Sequence, residues 1–299
     1  MESDFLFPSM IEKFLEHIIV EKRYSAHTIT SYRKDLADFQ YFYLETEGSE
    51  NYIQADKKII RNFIAYLGEK NLAKRTINRK LSTLRSFYLF LLEIGEIRTT
   101  PMENITTLKF HPEMQIPFSR DEMENLQRIL ADSEKFFEKL IIETLYQTGM
   151  RKAELCNLLY KDVNLEEMEI KVTGKGNKQR IIPFSDGLKR QLEFYANQRK
   201  PLTDSEKWFF LHPKGKKMDE KLVYSIVNRY LSLVTLKKKK SPHILRHSFA
   251  THVLENGAEI TKVKKILGHA SIASTQVYTH ANIEKLKKVF SESHPRAKK

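Results

Sequence analysis

The hydrophobic periodicity of this chain changes once, and this change constrains the fold more than any other feature. Across most of residues 9–94 the apolar residues recur at three- and four-residue spacing, which is typical of amphipathic helices. From Met168 they alternate with charged residues, a turn follows at 174–177, and residues 179–183 resume as a second short strand. The sequence therefore predicts a mainly α protein with one β-hairpin in its second half.

Capping signals locate several helix ends. Ser25 or Thr28 is expected to cap the second helix, and Gly95 follows a helix in the usual C-terminal position. Ser119 and Glu122 form a capping box for a later helix. The pattern predicts two helices within 9–44, broken near 22–26, and others at 57–68, 74–94, 119–160 with a break at 148–149, 187–198 and 219–234.

A stretch without helical period separates two parts of the chain. Residues 106–117, TTLKFHPEMQIP, contain two prolines and are flanked by turn signals. A chain of 299 residues is long enough for two domains that each bury a core. We therefore expect an all-helical N-terminal domain at 1–106, a linker at 107–117, and a mixed α+β domain at 118–299.

The charge balance indicates the kind of partner. A net charge of +13 with a pI near 9.5 attracts polyanions, of which nucleic acid is the first candidate. An acidic membrane surface is the alternative, but no apolar run is long enough to span a bilayer. The N-terminus has acidic residues where a signal peptide has lysines, so a cytoplasmic location is expected. The single cysteine, Cys156, is expected to be a buried structural thiol.

Four basic residues on the predicted helix 74–94 allow two interpretations. A solvated helix face is the usual role of such a charge run. The basicity of the whole chain favours phosphate contacts for some of them, namely Arg75, Arg79, Lys80 and Arg85.

Side chains suited to phosphodiester chemistry are spread over the second half of the chain. Taken singly, each has an ordinary explanation: a surface ion pair for an arginine, an exposed loop for a lysine, a half-buried core position for a tyrosine. Their order along the chain favours a shared functional role over these separate explanations. They are Arg151 at a helix start, Lys175 between glycines at the hairpin tip, His243 and Arg246 three apart after Pro242, His269 after a helix-ending glycine, and Tyr278.

Three histidines close in sequence raise the alternative of a metal site. His243, His247 and His252 lie on one predicted helix, but Arg246 shares the face of the first two and no carboxylate is interposed. The spacing between His247 and His252 also misaligns them on a helix. No metal is expected.

Four of the six residues can be assigned chemical tasks around a phosphate. A planar guanidinium donates two hydrogen bonds to phosphate oxygens and keeps its charge, so two arginines can clamp a pentacoordinate phosphorane. A tyrosine, with a pKa of about 10, needs a nearby base or cationic field to attack phosphorus. The leaving alcohol needs a proton, which a lysine on the hairpin could deliver.

Four segments carry a resemblance to a known family. TGMRKAEL, VTGKGNKQRIIP, HILRHSFATH and LGHASIASTQVYTH, in that order, closely resemble the tyrosine recombinases (phage integrases). In the first hundred residues, SAHTITSYRKDLADF and TINRKLSTLRSFYLFL look like the SAM-like core-binding domain of that family. The lack of a further N-terminal arm-binding domain and the closing HPRA make the chain most similar to the bacterial Xer recombinases.

This resemblance implies a role for each candidate residue. Arg151 and Arg246 would bind the scissile phosphate, and Lys175 would protonate the leaving 5′ hydroxyl. His243 would act as acid and base, His269 would hydrogen-bond a phosphate oxygen, and Tyr278 would form a 3′-phosphotyrosyl bond. Neither metal nor nucleotide cofactor would be needed, because the covalent intermediate keeps the energy of the broken bond.

The resemblance also implies partners. Family members act as tetramers on double-stranded DNA and exchange strands through a Holliday junction, and a C-terminal helix, here near 283–290, would pack on the neighbouring subunit. Similarity to Xer proteins suggests chromosome dimer resolution at a dif-like site, alone or with a second recombinase. The alternatives are a mobile-element integrase, a DNA-binding architectural protein without chemistry, and a type IB topoisomerase.

Overall fold

The chain folds into two compact units, Met1–Glu113 and Met114–Lys299. The structure, a computed structural model, describes residues 9–110, 116–174, 178–268, 287 and 289–296. Within those ranges no helix combines the length and the apolar character that crossing a membrane requires.

The described part of the first unit is helical. Ser25 caps the second helix by accepting a hydrogen bond from the backbone N–H of Thr28, as one of the two predicted caps. Asp56 caps the third helix through the N–H of Ile59 at 2.8 Å. The four helices are α1 (Met10–Val20), α2 (Ala26–Glu47), α3 (Lys57–Glu69) and α4 (Lys74–Glu93).

Aromatic rings fill the core of the first unit. Phe39 meets Phe63 edge to face with centroids 5.1 Å apart, and Phe14 meets Phe87 in the same way at 5.5 Å. Such edge-to-face pairs add to the stabilisation from burial alone. Tyr88 is fully buried, and its hydroxyl donates to the carbonyl oxygen of Tyr52 at 2.6 Å.

The basic residues of α4 differ from one another, and Lys80 fits neither of the two interpretations that the sequence allowed. It is 4% exposed and donates to Asp35, at 3.0 Å, and to Asp38 of α2. Arg79 also pairs with Asp35, which is completely buried. The ammonium of Lys80 therefore compensates the buried carboxylate of Asp35 and the partly exposed one of Asp38 inside the unit, and does not face a phosphate.

The second unit contains one sheet and seven α-helices whose bounds lie wholly within the described residues, and residues 289–293 are also helical. Ser119 and Glu122 form the predicted capping box, since the Ser119 side chain accepts from the Glu122 N–H and the Glu122 carboxylate accepts from the Ser119 N–H. The helices are α5 (Arg120–Ala131), α6 (Phe136–Thr148), α7 (Lys152–Cys156), α8 (Asp186–Gln198), α9 (Glu220–Val234), α10 (Pro242–Glu255) and α11 (Ile260–Leu267).

The sheet contains the predicted hairpin. Strands β2 (Glu169–Thr173) and β3 (Gln179–Pro183) pair antiparallel, with Ile170 opposite Ile182 on the buried face. A two-residue strand, β1 (Val163–Asn164), pairs with β2 and was not predicted, because two residues are too few to show a period. The sheet order is β1-β2-β3.

The region predicted as one interrupted helix from 119 to 160 is divided further. Residues 132–135 separate α5 from α6, and the helical part after the break at Gly149 is only the short α7. Cys156 at the end of α7 is buried, which raises the pKa of its thiol to about 12 and confirms the structural interpretation.

Helix α6 lies at the centre of the second unit. Every residue from Leu140 to Thr148 is buried, and α6 packs against α8, α9 and α10. Its buried polar side chains are paired: Gln147 accepts from Ser185 at 2.8 Å, and Glu143 accepts from Arg296 at 3.3 Å. The central helix thus touches the helix that carries His243 and Arg246.

Candidate active site

Arg151 is the N-cap residue of α7, two residues after the glycine that ends α6. Helix α6 ends at Gly149, whose φ of +59° is in the left-handed region that favours glycine. The Arg151 side chain is 43% exposed and donates to Glu154 Oε1 at 2.9 Å, while its backbone N–H donates to Glu154 Oε2 at 2.7 Å. One carboxylate therefore fixes both the backbone and the side chain of Arg151.

Glu154 also binds a second arginine from the hairpin. Arg180 of β3 donates to both carboxylate oxygens, at 2.9 and 2.7 Å, and both residues are almost fully buried. Burial by itself would raise the pKa of Glu154, but the hydrogen bonds from Arg180 and Arg151 outweigh it and lower that pKa. Glu154 is thus ionised and links α7 to the sheet.

Arg180 further links the sheet to the end of α11. Its Nε donates to the carbonyl oxygen of Ile266 at 2.6 Å. Gly268 ends α11 with a φ of +64°, and a Cβ there would lie 3.1 Å from the Arg180 Cδ. A glycine next to His269 therefore leaves space for the Arg180 side chain.

Arg246 is buried and its guanidinium is held by two backbone carbonyls. Its Nη1 donates to Gly149 O at 2.6 Å, and its Nη2 donates to Leu267 O. Burial, then the positive charges of Arg151 and Arg180, lower its pKa to about 10, so the group stays charged at neutral pH. Two helix ends, those of α6 and α11, therefore orient this one cation.

His243 lies in the first turn of α10, three residues before Arg246. Partial burial of the ring, then the charges of Arg246, His247 and Arg151, lower its pKa. The positive end of the helix dipole disfavours the imidazolium in the same direction. The imidazole is therefore neutral at neutral pH and can accept a proton.

Three of the six predicted site residues fall within the described ranges and lie near one another. The charge of Arg151 acts on both His243 and Arg246, so these groups share one electrostatic environment. Lys175, His269 and Tyr278 lie outside the described residues. Of the described residues next to them, Gly174 donates its N–H to Lys178 O at 2.8 Å, and Gly268 ends α11.

The arrangement is suited to an anion. Two guanidinium groups and a neutral imidazole are placed together, and the carboxylate beside them, Glu154, is already engaged by Arg151 and Arg180. A tetrahedral phosphate can accept several charge-assisted hydrogen bonds from such a group. No cluster of histidine, cysteine and carboxylate side chains in the described part of the chain could hold a metal ion.

Sequence reasoning missed Glu154 and Arg180 as parts of this site. A glutamate three residues after a helix start is a capping pattern, which would have tied Glu154 to Arg151. Arg180 falls on the same face of β3 as Ile182, so the strand alternation places a charge where an apolar residue is expected. A charge at such a position signals a buried ion pair.

Comparison with known proteins matches nearly the whole chain. The profile of the phage integrase family matches residues 92–285, and that of the phage integrase N-terminal SAM-like domain matches residues 11–95. Tyrosine recombinase XerC of Staphylococcus haemolyticus is 37% identical over 289 residues, 96% of this chain and 97% of that protein. XerC of Thermodesulfovibrio yellowstonii is 36% identical over 299 residues, 96% and 97% of the two chains.

Solved structures share the fold at lower identity. The Tn1549 transposon integrase in complex with transposon right end DNA has a TM-score of 0.71 at 19% identity, covering 93% of this chain and 98% of that one. A lambda integrase tetramer bound to a Holliday junction has a TM-score of 0.68 at 17% identity, covering 91% and 79%. The predicted fold class is thereby confirmed.

Proposed function

This chain belongs to the phage integrase family, the tyrosine recombinases that cleave and rejoin DNA, and we propose that it resolves chromosome dimers at a dif-like site. The XerC relatives support this choice, because similarity to them at 36–37% identity spans 96% of the chain. The net charge of +13 is consistent with a duplex DNA substrate.

The proposed reaction is a transesterification at one phosphate. The Tyr278 oxygen attacks phosphorus and forms a 3′-phosphotyrosyl bond, while the bond to the 5′ oxygen breaks. Lys175 gives the departing 5′ hydroxyl its proton, and His243 accepts the phenolic proton. The reverse attack by a 5′ hydroxyl of another strand rejoins the DNA without an external energy source.

The observation that carries this proposal is the fixed guanidinium of Arg246 beside Arg151. Arg246 donates to Gly149 O and Leu267 O and still has N–H groups for a phosphate, since a guanidinium has five. Donors that are already oriented stabilise the phosphorane without reorganising when charge develops. His269 would add a hydrogen bond to a phosphate oxygen, as the family resemblance implies.

The proposed assembly is a tetramer on two DNA sites, with four copies of this chain or with a second Xer-type recombinase. The C-terminal helix near 283–290 would then contact the neighbouring subunit. A chromosomal target would place the protein in the cytoplasm.

A nicked suicide duplex carrying a dif-like sequence tests the chemistry. The wild-type protein should form a covalent protein–DNA band, and Tyr278→Phe should abolish it. Tyr224→Phe is the matched control, because Tyr224 is an exposed tyrosine of α9. A band that survives in Tyr278→Phe would show that another residue is the nucleophile.

Two further experiments distinguish the proposed function from its alternatives. If Arg151→Ala and Tyr278→Phe leave every DNA-dependent activity intact, the protein is a binding factor without chemistry. If it relaxes a supercoiled plasmid that lacks any dif-like site and forms no recombinant, it is a topoisomerase. Mapping covalent cleavage sites in cells tests the site: clustering at a mobile-element end in place of a dif-like site contradicts dimer resolution.

A further inference from the structure

The residues that lead into α5 are bound along the helix that carries His243 and Arg246. We call residues 117–120 the anchor segment. The backbone N–H of Phe118 donates to Ser248 Oγ at 2.8 Å, and its carbonyl accepts from His252 Nε2 at 2.9 Å. Phe118, Ser248 and His252 are each at most 2% exposed. Both backbone polar groups of one buried residue are therefore satisfied by α10.

The contact continues along one face of α10. Arg120 donates to Asn256 Oδ1 at 2.6 Å, just beyond the last turn of the helix. Positions 248, 252 and 256 are four apart and lie on the same side. We call Ser248, His252 and Asn256 the anchor stripe.

A lysine from the loop before α10 holds the same segment. Lys237 Nζ donates to Pro117 O at 2.8 Å and to Glu122 at 2.6 Å, and it lies 5.1 Å from the centroid of the Phe118 ring. The anchor segment is thus held by the loop before α10, by the middle of the helix and by the residue just past its end.

His252 also ties α10 to the central helix. Its Nε2 faces a carbonyl oxygen and must donate, so in the neutral ring Nδ1 accepts from the Tyr146 hydroxyl of α6 at 2.9 Å. A second hydrogen bond joins α10 to the end of α6: Arg246 donates to the carbonyl oxygen of Gly149, the residue just after that helix. Two polar contacts thus join α6 and α10, one at each end of the segment 246–252.

These hydrogen bonds add directional constraints on the axial position of α10 to those that close packing already supplies. The remaining contacts of α10 with α6 are largely between apolar side chains, whose attraction has no preferred direction. A shift of α10 along its axis would leave the Phe118 N–H and carbonyl buried and unpaired, and burying unpaired polar groups is costly. Chemistry at a phosphate depends on placement well below 1 Å.

We propose that Ser248 and His252 are positioning residues that fix α10 against the Phe118 backbone and, through α10, hold the Arg246 guanidinium in place for the scissile phosphate. This inference rests on the proposed function, because it assigns to Arg246 the role of phosphate ligand.

The test compares cleavage rate with DNA affinity in the full-length protein. Ser248→Ala removes the acceptor of the Phe118 N–H. Tyr146→Phe removes only the hydroxyl that donates to His252 and keeps the ring. Ser232→Ala is the control for the helix-internal hydrogen bond, since Ser232 donates to the carbonyl four residues earlier at 2.8 Å, as Ser248 does at 3.0 Å. Ser232 is exposed on α9, and its other hydrogen bond is with Lys240 Nζ at 3.2 Å, outside the anchor segment.

Each variant is mixed at saturating concentration with the nicked suicide duplex, well below its melting temperature, and the rate of covalent band formation is measured. We expect Ser248→Ala to slow cleavage by between about tenfold and about a hundredfold, as expected for a misplaced catalytic group. Tyr146→Phe should slow it less, by about threefold to tenfold. DNA affinity measured by fluorescence anisotropy should stay within about twofold in both, and Ser232→Ala should match the wild type.

The inference is overturned if folded Ser248→Ala cleaves at the wild-type rate, or if its loss appears wholly as weaker DNA binding. If Ser248→Ala does not fold, the cleavage rate and DNA affinity of Tyr146→Phe are judged by the same two criteria. A wild-type protein that forms no covalent band refutes the proposed function instead, so the two failures are distinguished.

Discussion

Glu154 and Arg180 form a bidentate ion pair, with N–O distances of 2.9 and 2.7 Å, at the point where α7, the hairpin and the end of α11 meet. The same carboxylate accepts from the backbone and side chain of Arg151, and Arg180 reaches Ile266 O. Arg151 is therefore held by a buried group that need not touch DNA.

Glu154→Gln should destabilise the second unit strongly. The amide keeps the size of the side chain but leaves the Arg180 charge buried and uncompensated, which costs about 3–5 kcal/mol. Urea unfolding followed by the fluorescence of Trp208, the single tryptophan, measures it. Glu220→Gln is the control: Glu220 pairs with Lys152 at 3.1 Å on the surface, and its loss should cost less than about 1 kcal/mol. Equal effects of the two substitutions would contradict the role of the buried pair.

Gly149→Ala should damage both stability and cleavage. The backbone conformation and the overpacking together should cost about 2–5 kcal/mol, because a Cβ would lie 2.5 Å from Phe249 Cδ1 at a φ of +59°. Displacing the Gly149 carbonyl would also move the acceptor of Arg246. Gly257→Ala separates the two causes: its φ is +91° with no atom within 4 Å, so only backbone strain of about 1–2 kcal/mol is expected. Similar losses in both variants would exclude the packing contribution.

Local patterns predicted the elements that depend on local rules. The alternation at 168–183 gave the hairpin, and Ser119 with Glu122 gave a helix start, because both signals lie within a few residues of each other. The break at Gly149 was also visible, since a left-handed residue there ends α6. Family resemblance, not periodicity, gave the roles of the six site residues.

Pairings between distant parts of the chain were not predictable in this way. In the sequence Lys80 is indistinguishable from the other cations of a basic helix. In the structure it is buried and paired with Asp35, which lies on another helix. Arg180 and Glu154 are separated by 26 positions, and the Phe118 contacts with Ser248 and His252 span 130 or more. Such contacts depend on how helices pack, which no short window of sequence contains.

The cleavage rate should stay constant as the pH is lowered, until the pH is below the ordinary pKa of histidine. Because the pKa of His243 is lowered by burial and neighbouring cations, the ring stays neutral and able to accept a proton below pH 6.5. Single-turnover rates between pH 5 and pH 8 should be flat at the upper end and fall only below about 6.5. His243→Gln should be slower and should lose this acidic decline. A decline centred above pH 7 in the wild type would contradict a neutral His243 as base.

Stability of the second unit should fall on acidification because of His294. This histidine is 1% exposed, stacks on Phe290 with centroids 4.7 Å apart, and accepts the Arg296 N–H at Nδ1 at 3.0 Å. Protonation would break that hydrogen bond, and burial lowers its pKa from 6.5 to about 3. Between pH 6.5 and about 3 the imidazole is therefore protonated in the unfolded state but neutral in the folded state. The free energy of unfolding is thus highest above pH 6.5 and decreases as the pH falls towards 3. Between pH 7.5 and 5 the loss should be about 2 kcal/mol.

Urea unfolding followed by Trp208 fluorescence at several pH values measures this dependence. His294→Gln should be less stable at pH 7.5 but should lose most of the slope, because glutamine does not titrate. His27→Gln, at an exposed histidine of the first unit, should leave the slope unchanged. His252 contributes in the same direction, since burial lowers its pKa as well, so a residual slope is expected in His294→Gln. A wild-type slope that persists in full in that variant would assign the pH dependence to other groups.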